Sequence, residues 1–202
     1  MANDQEALLQ QTFHELQDMG LISPNRTLSK LKRGPKKVPI FHVHPIRRNR
    51  IFYWLDNHVF EVDGLRFALL HEERHLTGGH LNGIAYSTSL VVWSCFFILL
   101  ALTGRFLEGP SAVIYLLLPV AVYYTAMPFL MISERRSDLW AASLLKDRFN
   151  VSRPSLVLAR ALDFPPPNMS PGERFLRRIS HVDYHPSKEK RIGLIAKEVD
   201  DR

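Results

Sequence analysis

Cysteine is almost missing from this chain of 202 residues: Cys95 stands alone. No intrachain disulfide can form, and a fold stapled by disulfides is excluded. Charge is missing from two long stretches, 81–104 and 109–133, which contain no Asp, Glu, Lys or Arg. The N-terminus "MANDQEALLQQ" lacks the basic-then-apolar order of a cleaved signal peptide, so none is expected. Internal repeats are also lacking, which argues against a solenoid or an array.

Each charge-free stretch exceeds the roughly 20 residues with which a helix crosses a bilayer, and only "TGRFLEGP" separates them. The sequence therefore predicts a transmembrane hairpin over 84–132, with Cys95 packed inside its first span. Of the 26 Lys and Arg, only Arg105 lies in the connecting loop, and the rest flank the hairpin on both sides. The positive-inside rule then predicts an integral membrane protein, in the cell membrane, with both termini cytoplasmic. The chain has a net charge of +6. Its densest basic stretches, "KLKRGPKK" and "IRRNR", are read as lying against anionic headgroups of the lipid bilayer. Nucleic acid is not an expected partner.

Around the hairpin the pattern is mainly helical with one small β element. Leu9, Phe13, Leu16 and Met19 recur at helical spacing over 4–19, and Gly20 stops the run. Residues 23–45 are rich in Pro, Lys and Arg without a hydrophobic period and read as a linker or surface arm. "RIFYWLDNHVFEV" is β-branched and aromatic around Asp56 and Asn57, which predicts a strand or a hairpin. Its first half, placed before the next helix, is read as an edge to which an extended substrate could add. A helix follows from Asp63, carrying Leu65, Leu69 and Leu70, and ends at Gly78 and Gly79. Further helices are expected over "SERRSDLWAASLLKDRF", with Ser133 as N-cap, over "SRPSLVLARALDF", over "SPGERFLRRI", and over "HPSKEKRIGLIAKEV". "PPPN" is a break.

The predicted helix from Asp63 contains "LLHEERHLTGGH". On a helix, residues four apart share a face, so His71 and His75 can grip one metal ion while Glu72, beside them, can act on a water. Two neutral imidazoles and a carboxylate base are what hydrolytic zinc chemistry needs. With nine His in the chain, an accidental H-E-x-x-H has a chance of roughly two per cent, so the motif needs support. A third histidine three residues after Gly78 would complete one known pattern, but Leu81 stands there and His80 comes one residue early. A glutamate from a later helix is the other route. Glu134 in "ERRSD" is the best candidate, and Asp138, four residues on, shares its face and can support a ligating histidine. His42, His44 and His58 match no metal-site spacing and read as loop histidines.

"LLHEERHLTGGH", the hydrophobic hairpin, "ERRSDLWAASLL" and "DYHPSKEKRIGLI", in that order, resemble the M48 family of zinc metallopeptidases. The resemblance spans about 50–196. It implies a zincin-like catalytic domain interrupted by the two-helix transmembrane hairpin, and Zn2+ as cofactor. The implied zinc ligands are His71, His75 and Glu134, with Glu72 as general base. Asp138 would orient a ligand, His185 would stabilise the tetrahedral intermediate, and Arg191 would hold the C-terminal motif against the site. Arg74 stands where the family often has a small residue, which bears on packing behind the catalytic helix. The expected organisation is an N-terminal helix and basic arm (1–49), a first peptidase segment (50–83), the hairpin (84–132) and a second peptidase segment (133–202). The expected function is a membrane-bound zinc metalloendopeptidase acting on proteins or peptides, membrane proteins included, at the cytoplasmic membrane surface. The alternative is a non-catalytic membrane scaffold or metal sensor with a structural zinc.

Overall fold

A computed structural model of the chain describes residues 2–31, 40–43, 49–55, 58–78, 110–163 and 186–202, with positions 91, 94, 95 and 98 between them. The chain forms two compact units: Met1–Gly78 together with Glu134–Arg202, and Gly79–Ser133.

The first unit begins with helix α1 (Ala2–Asp18). Leu9, Phe13 and Leu16 lie on one face of it and are buried, as their spacing requires. Gly20 ends the helix at φ 70°, a left-handed turn that costs glycine nothing. The N–H groups of Leu21 and Ile22 then both reach the Leu16 carbonyl. Met19 falls beyond the last helical residue and is 44% exposed, so it does not join the apolar stripe.

Three short strands follow, β1 (Thr27–Lys30), β2 (Ile40–Val43) and β3 (Arg50–Trp54). Their order is β1-β3-β2, with β3 parallel to β1 and antiparallel to β2. Ile51 and Tyr53 of β3 point into the core. Two expectations are corrected here. The arm expected over 23–45 supplies β1 and β2, which are too short to display a period of two among their Pro and Lys neighbours. And β3 is the central strand with both sides paired, so it offers no edge to a substrate. Residues 58–61 are not strand, while Asp56 and Asn57 lie outside the described residues.

Helix α2 (Val62–Thr77) buries Leu65, Phe67, Leu69 and Leu70. The Gly78 N–H donates to the Arg74 carbonyl at 2.7 Å. A Cβ at Gly78 would stand 2.8 Å from that same oxygen, so glycine is required for the stop. Helix α3 runs as one element from Pro110 to Phe149, its residues from Glu134 onward belonging to the first unit. Asn150, at φ 56°, terminates it, and the Val151 N–H closes back on the Leu145 carbonyl. Ser133 is therefore a residue inside α3 and not an N-cap, because the helix enters it already formed.

Helix α4 (Pro154–Ala161) starts with proline in its first turn. Helix α5 (Lys188–Ile195) is capped by Ser187, whose hydroxyl accepts from the Lys190 N–H, and runs into a π-helical turn, Ala196–Asp200. That turn is fastened on two sides. Lys146 of α3 donates to the Val199 and Asp200 carbonyls, and the Ser155 hydroxyl of α4 donates to the Asp200 carboxylate. Ala141, Ala142, Leu145, Leu158, Ile195 and Val199 complete one core with the apolar faces of α1, α2 and β3. The helix expected over "SPGERFLRRI" and the "PPPN" break lie outside the described residues.

The mainly helical reading with a small β element agrees with this architecture, but the transmembrane hairpin does not. Among the described residues no helix is long and apolar enough to cross a membrane. The hairpin over 84–132 rests on two charge-free apolar runs, and such a run need not be an element of its own. Of the first run, only positions 91, 94, 95 and 98 are among the described residues. The second run is no separate element, since α3 passes without a break into Glu134, Arg135 and Arg136. The same finding stands against the expected integral-membrane placement, with cytoplasmic termini and a site at the membrane surface. Cys95, expected to be packed within a span, is exposed.

Candidate metal centre

Helices α2 and α3 run antiparallel in the first unit. Arg66 of α2 lies over the Phe149 ring, with 4.3 Å from the guanidinium carbon to the centroid, and Arg74, two turns later, faces Trp140 at 5.8 Å. Arg74 is thus accommodated by lying against an aromatic face. The same pairing sets His71 and His75 opposite Glu134 and Asp138.

The three predicted ligand residues converge. His71 Nε2 and His75 Nε2 are 2.9 Å apart. Glu134 reaches both, with Oε2 3.3 Å from His71 Nε2 and Oε1 3.1 Å from His75 Nε2. One ligand atom from each residue lies within 4.8 Å of the others. All three side chains are buried or nearly so, His75 being the most open at 9%. A tetrahedral ion with ligands at about 2.0–2.1 Å has ligand-to-ligand edges of about 3.3 Å. The separations observed are close to that edge, so the group can hold a metal ion.

The outer nitrogens point away from this centre toward α3. His71 Nδ1 lies 2.9 Å from Asp138 Oδ1, a close approach without the alignment of a good hydrogen bond. His75 Nδ1 lies 3.4 Å from Ser137 Oγ. Arg191 of α5 grips Asp138 with two bonds, Nε to Oδ2 at 2.8 Å and Nη2 to Oδ1 at 2.6 Å. Asp138 is fully buried. A carboxylate so enclosed stays ionised only with a cation against it.

The electrostatics ask for positive charge at the centre. Burial disfavours a charged His71 ring, but the Asp138 and Glu134 carboxylates outweigh it and push its pKa up to about 10. Burial likewise opposes the Asp138 carboxylate, yet Arg191 and His71 hold its pKa below the ordinary range. Without a metal, the carboxylates draw a proton onto His71. A metal cation on Nε2 answers the same demand.

Glu72, one residue after His71, is buried at 8% exposure and forms no hydrogen bond or ion pair among the described residues. Its charge is felt at Arg191. Glu73 points elsewhere. It is 2% exposed and takes two bonds from Arg26, at 2.8 and 3.2 Å. Consecutive glutamates thus do different work, one left without a partner near the imidazoles and one holding α2 to the start of β1. Phe67, one turn before His71, stacks on its ring at 6.3 Å.

His71, His75, Glu134, Asp138 and Arg191 are therefore brought into one cluster, with Glu72 at its side. His185 and His80 lie outside the described residues. His42 is exposed on β2, and His58 meets Phe60 edge to face at 4.5 Å. Ser137 and the Arg26–Glu73 pair were not anticipated. Ser137 was open to discovery, being three residues from Glu134 on the same helix face. Arg26 and Glu73 are 47 residues apart in sequence, and no local signal links them. No protein-family model, no curated protein and no solved structure matches this chain, so the functional reading rests on the site.

Proposed function

We propose that the protein is a zinc-dependent metalloendopeptidase of the M48 type, hydrolysing peptide bonds of protein or peptide substrates. The observation that carries this reading is the convergence of His71, His75 and Glu134 beside a buried carboxylate, Glu72, that forms no hydrogen bond or ion pair among the described residues. Two neutral imidazole nitrogens and a carboxylate suit zinc best among common divalent ions. Bound there, zinc would act as a Lewis acid on water and on the substrate carbonyl.

The chain's own groups take the remaining roles. His71 and His75 keep their Nε2 lone pairs turned inward because their Nδ1 positions face Asp138 and Ser137. Glu72 accepts the proton of the attacking water and returns it to the leaving amine. Arg191 keeps Asp138 charged, and so keeps His71 in place. In this reading His185 donates to the developing oxyanion.

A structural zinc in a non-catalytic scaffold or sensor would need a fourth protein ligand closing the site. The two readings separate on one assay. Cleavage of an unfolded casein-like substrate should stop on chelation and return on adding Zn2+. A protein that holds stoichiometric zinc and cleaves nothing would favour the structural role.

A further inference from the structure

Glu134, Ser137 and Asp138 occupy one face of α3 at positions i, i+3 and i+4. Across from them, His71 and His75 occupy one face of α2 at i and i+4. Because the helices are antiparallel, each imidazole meets two residues of that face. His71 meets Glu134 with Nε2 and Asp138 with Nδ1. His75 meets Glu134 with Nε2 and Ser137 with Nδ1. The Ser137 side chain is 1% exposed, and a hydroxyl so deeply buried is costly to leave without a partner.

We infer that Ser137 is a positioning residue for His75: its hydroxyl oxygen accepts a hydrogen bond from the Nδ1–H and so fixes the ring with Nε2 free toward Glu134. This inference rests on the metal-centre reading above. It makes the two histidines unequal. His71 is backed by a buried carboxylate that Arg191 clamps, a charged partner that raises the basicity of the ring. His75 is backed by a neutral hydroxyl and is the weaker ligand of the pair. One helical turn thus supplies an inner ligand and a backing group for each histidine.

The test combines metal binding with imidazole spectroscopy on the full chain, using Zn2+ alone as probe. Chelator competition should show Ser137→Ala binding Zn2+ about 10- to 100-fold more weakly than wild type, the usual range for loss of such a partner, while Ser137→Thr, which keeps the hydroxyl, should recover most of the loss. Helix content and melting of Ser137→Ala should stay near wild type, because alanine suits a helix interior. In metal-free wild type the 15N spectrum should show His75 with its proton on Nδ1, a preference that Ser137→Ala loses. Equal Zn2+ affinity in wild type and Ser137→Ala would overturn the inference, and so would a His75 proton on Nε2. If wild type bound no Zn2+ while Nδ1 of His75 carried the proton, the metal reading would fall and the Ser137 contact would stand. If Ser137→Ala failed to fold, the wild-type spectrum and Ser137→Thr would decide.

Discussion

Replacing Arg191 with alanine tests the buried charge chain behind the centre. Asp138 is fully buried, Arg191 is 9% exposed, and two bonds at 2.6 and 2.8 Å join them. Removing the guanidinium takes two charge-assisted bonds from a carboxylate out of reach of water and leaves the His71 ring against it, and breaking a buried pair from one side costs about 3–5 kcal/mol. At about 2–4 °C per kcal/mol for a domain of this size, Arg191→Ala should lower the melting temperature by roughly 6–20 °C. The melt is followed by circular dichroism on metal-free protein, because bound metal would add its own stabilisation. The double variant Asp138→Asn with Arg191→Gln carries no orphaned charge and should recover a large part of the loss. An Arg191→Ala melt within 2 °C of wild type would refute the reasoning, as would a double variant no more stable than the single one.

Three other outcomes are expected. Arg26→Ala strands Glu73, which is 2% exposed, and should cost about 3–5 kcal/mol in denaturant unfolding; a loss under 1 kcal/mol would show that this pair does not anchor α2. Tyr53 donates to Glu6 at 2.5 Å and Lys30 reaches the other oxygen of Glu6. Lys30 and Tyr53 lower the Glu6 pKa, while burial and then Glu6 push Tyr53 up to about 12. The stabilisation is then complete between about pH 4.5 and 10. It is lost below that window as Glu6 protonates, and above it as Tyr53 ionises. Tyr53→Phe should cost about 1–2 kcal/mol at pH 7 after allowance for solvent screening, with a smaller difference at pH 3; a constant difference across pH would contradict the assignment. Glu134→Ala should weaken Zn2+ binding by at least tenfold in chelator competition, and unchanged affinity would remove Glu134 from the ligand set.

Some elements were legible in the sequence because one helix carried the whole signal. Leu9, Phe13 and Leu16 mark α1, and His71, His75 and Glu72 share a helix whose end is written in Gly78. Glu134 and Asp138 were found the same way, by spacing of four. The sheet was hidden for a physical reason. Four-residue strands flanked by Pro and Lys do not repeat often enough to show alternation, and the pairing of β1 with β3 is set by contacts distant in sequence. The same distance hid Arg26 from Glu73. The hydrophobic runs misled in the other direction, since a charge-free apolar run was read as an element of its own while α3 passes through Ser133 into the site. Ser137 carries a weaker signal: its spacing from Glu134 puts it on the same helix face, but a neutral serine points to no ligand role until its partner histidine is placed.

In the proposed mechanism Glu72 serves as base beside a metal held by His71, His75 and Glu134. Glu72→Gln tests it most directly, because the change removes a carboxylate and keeps its shape. Zinc content and cleavage of a casein-like substrate should be measured on the same preparations of wild type and variant. The variant should hold zinc at the wild-type level and lose cleavage. Retained cleavage by the zinc-loaded variant would contradict this role for Glu72.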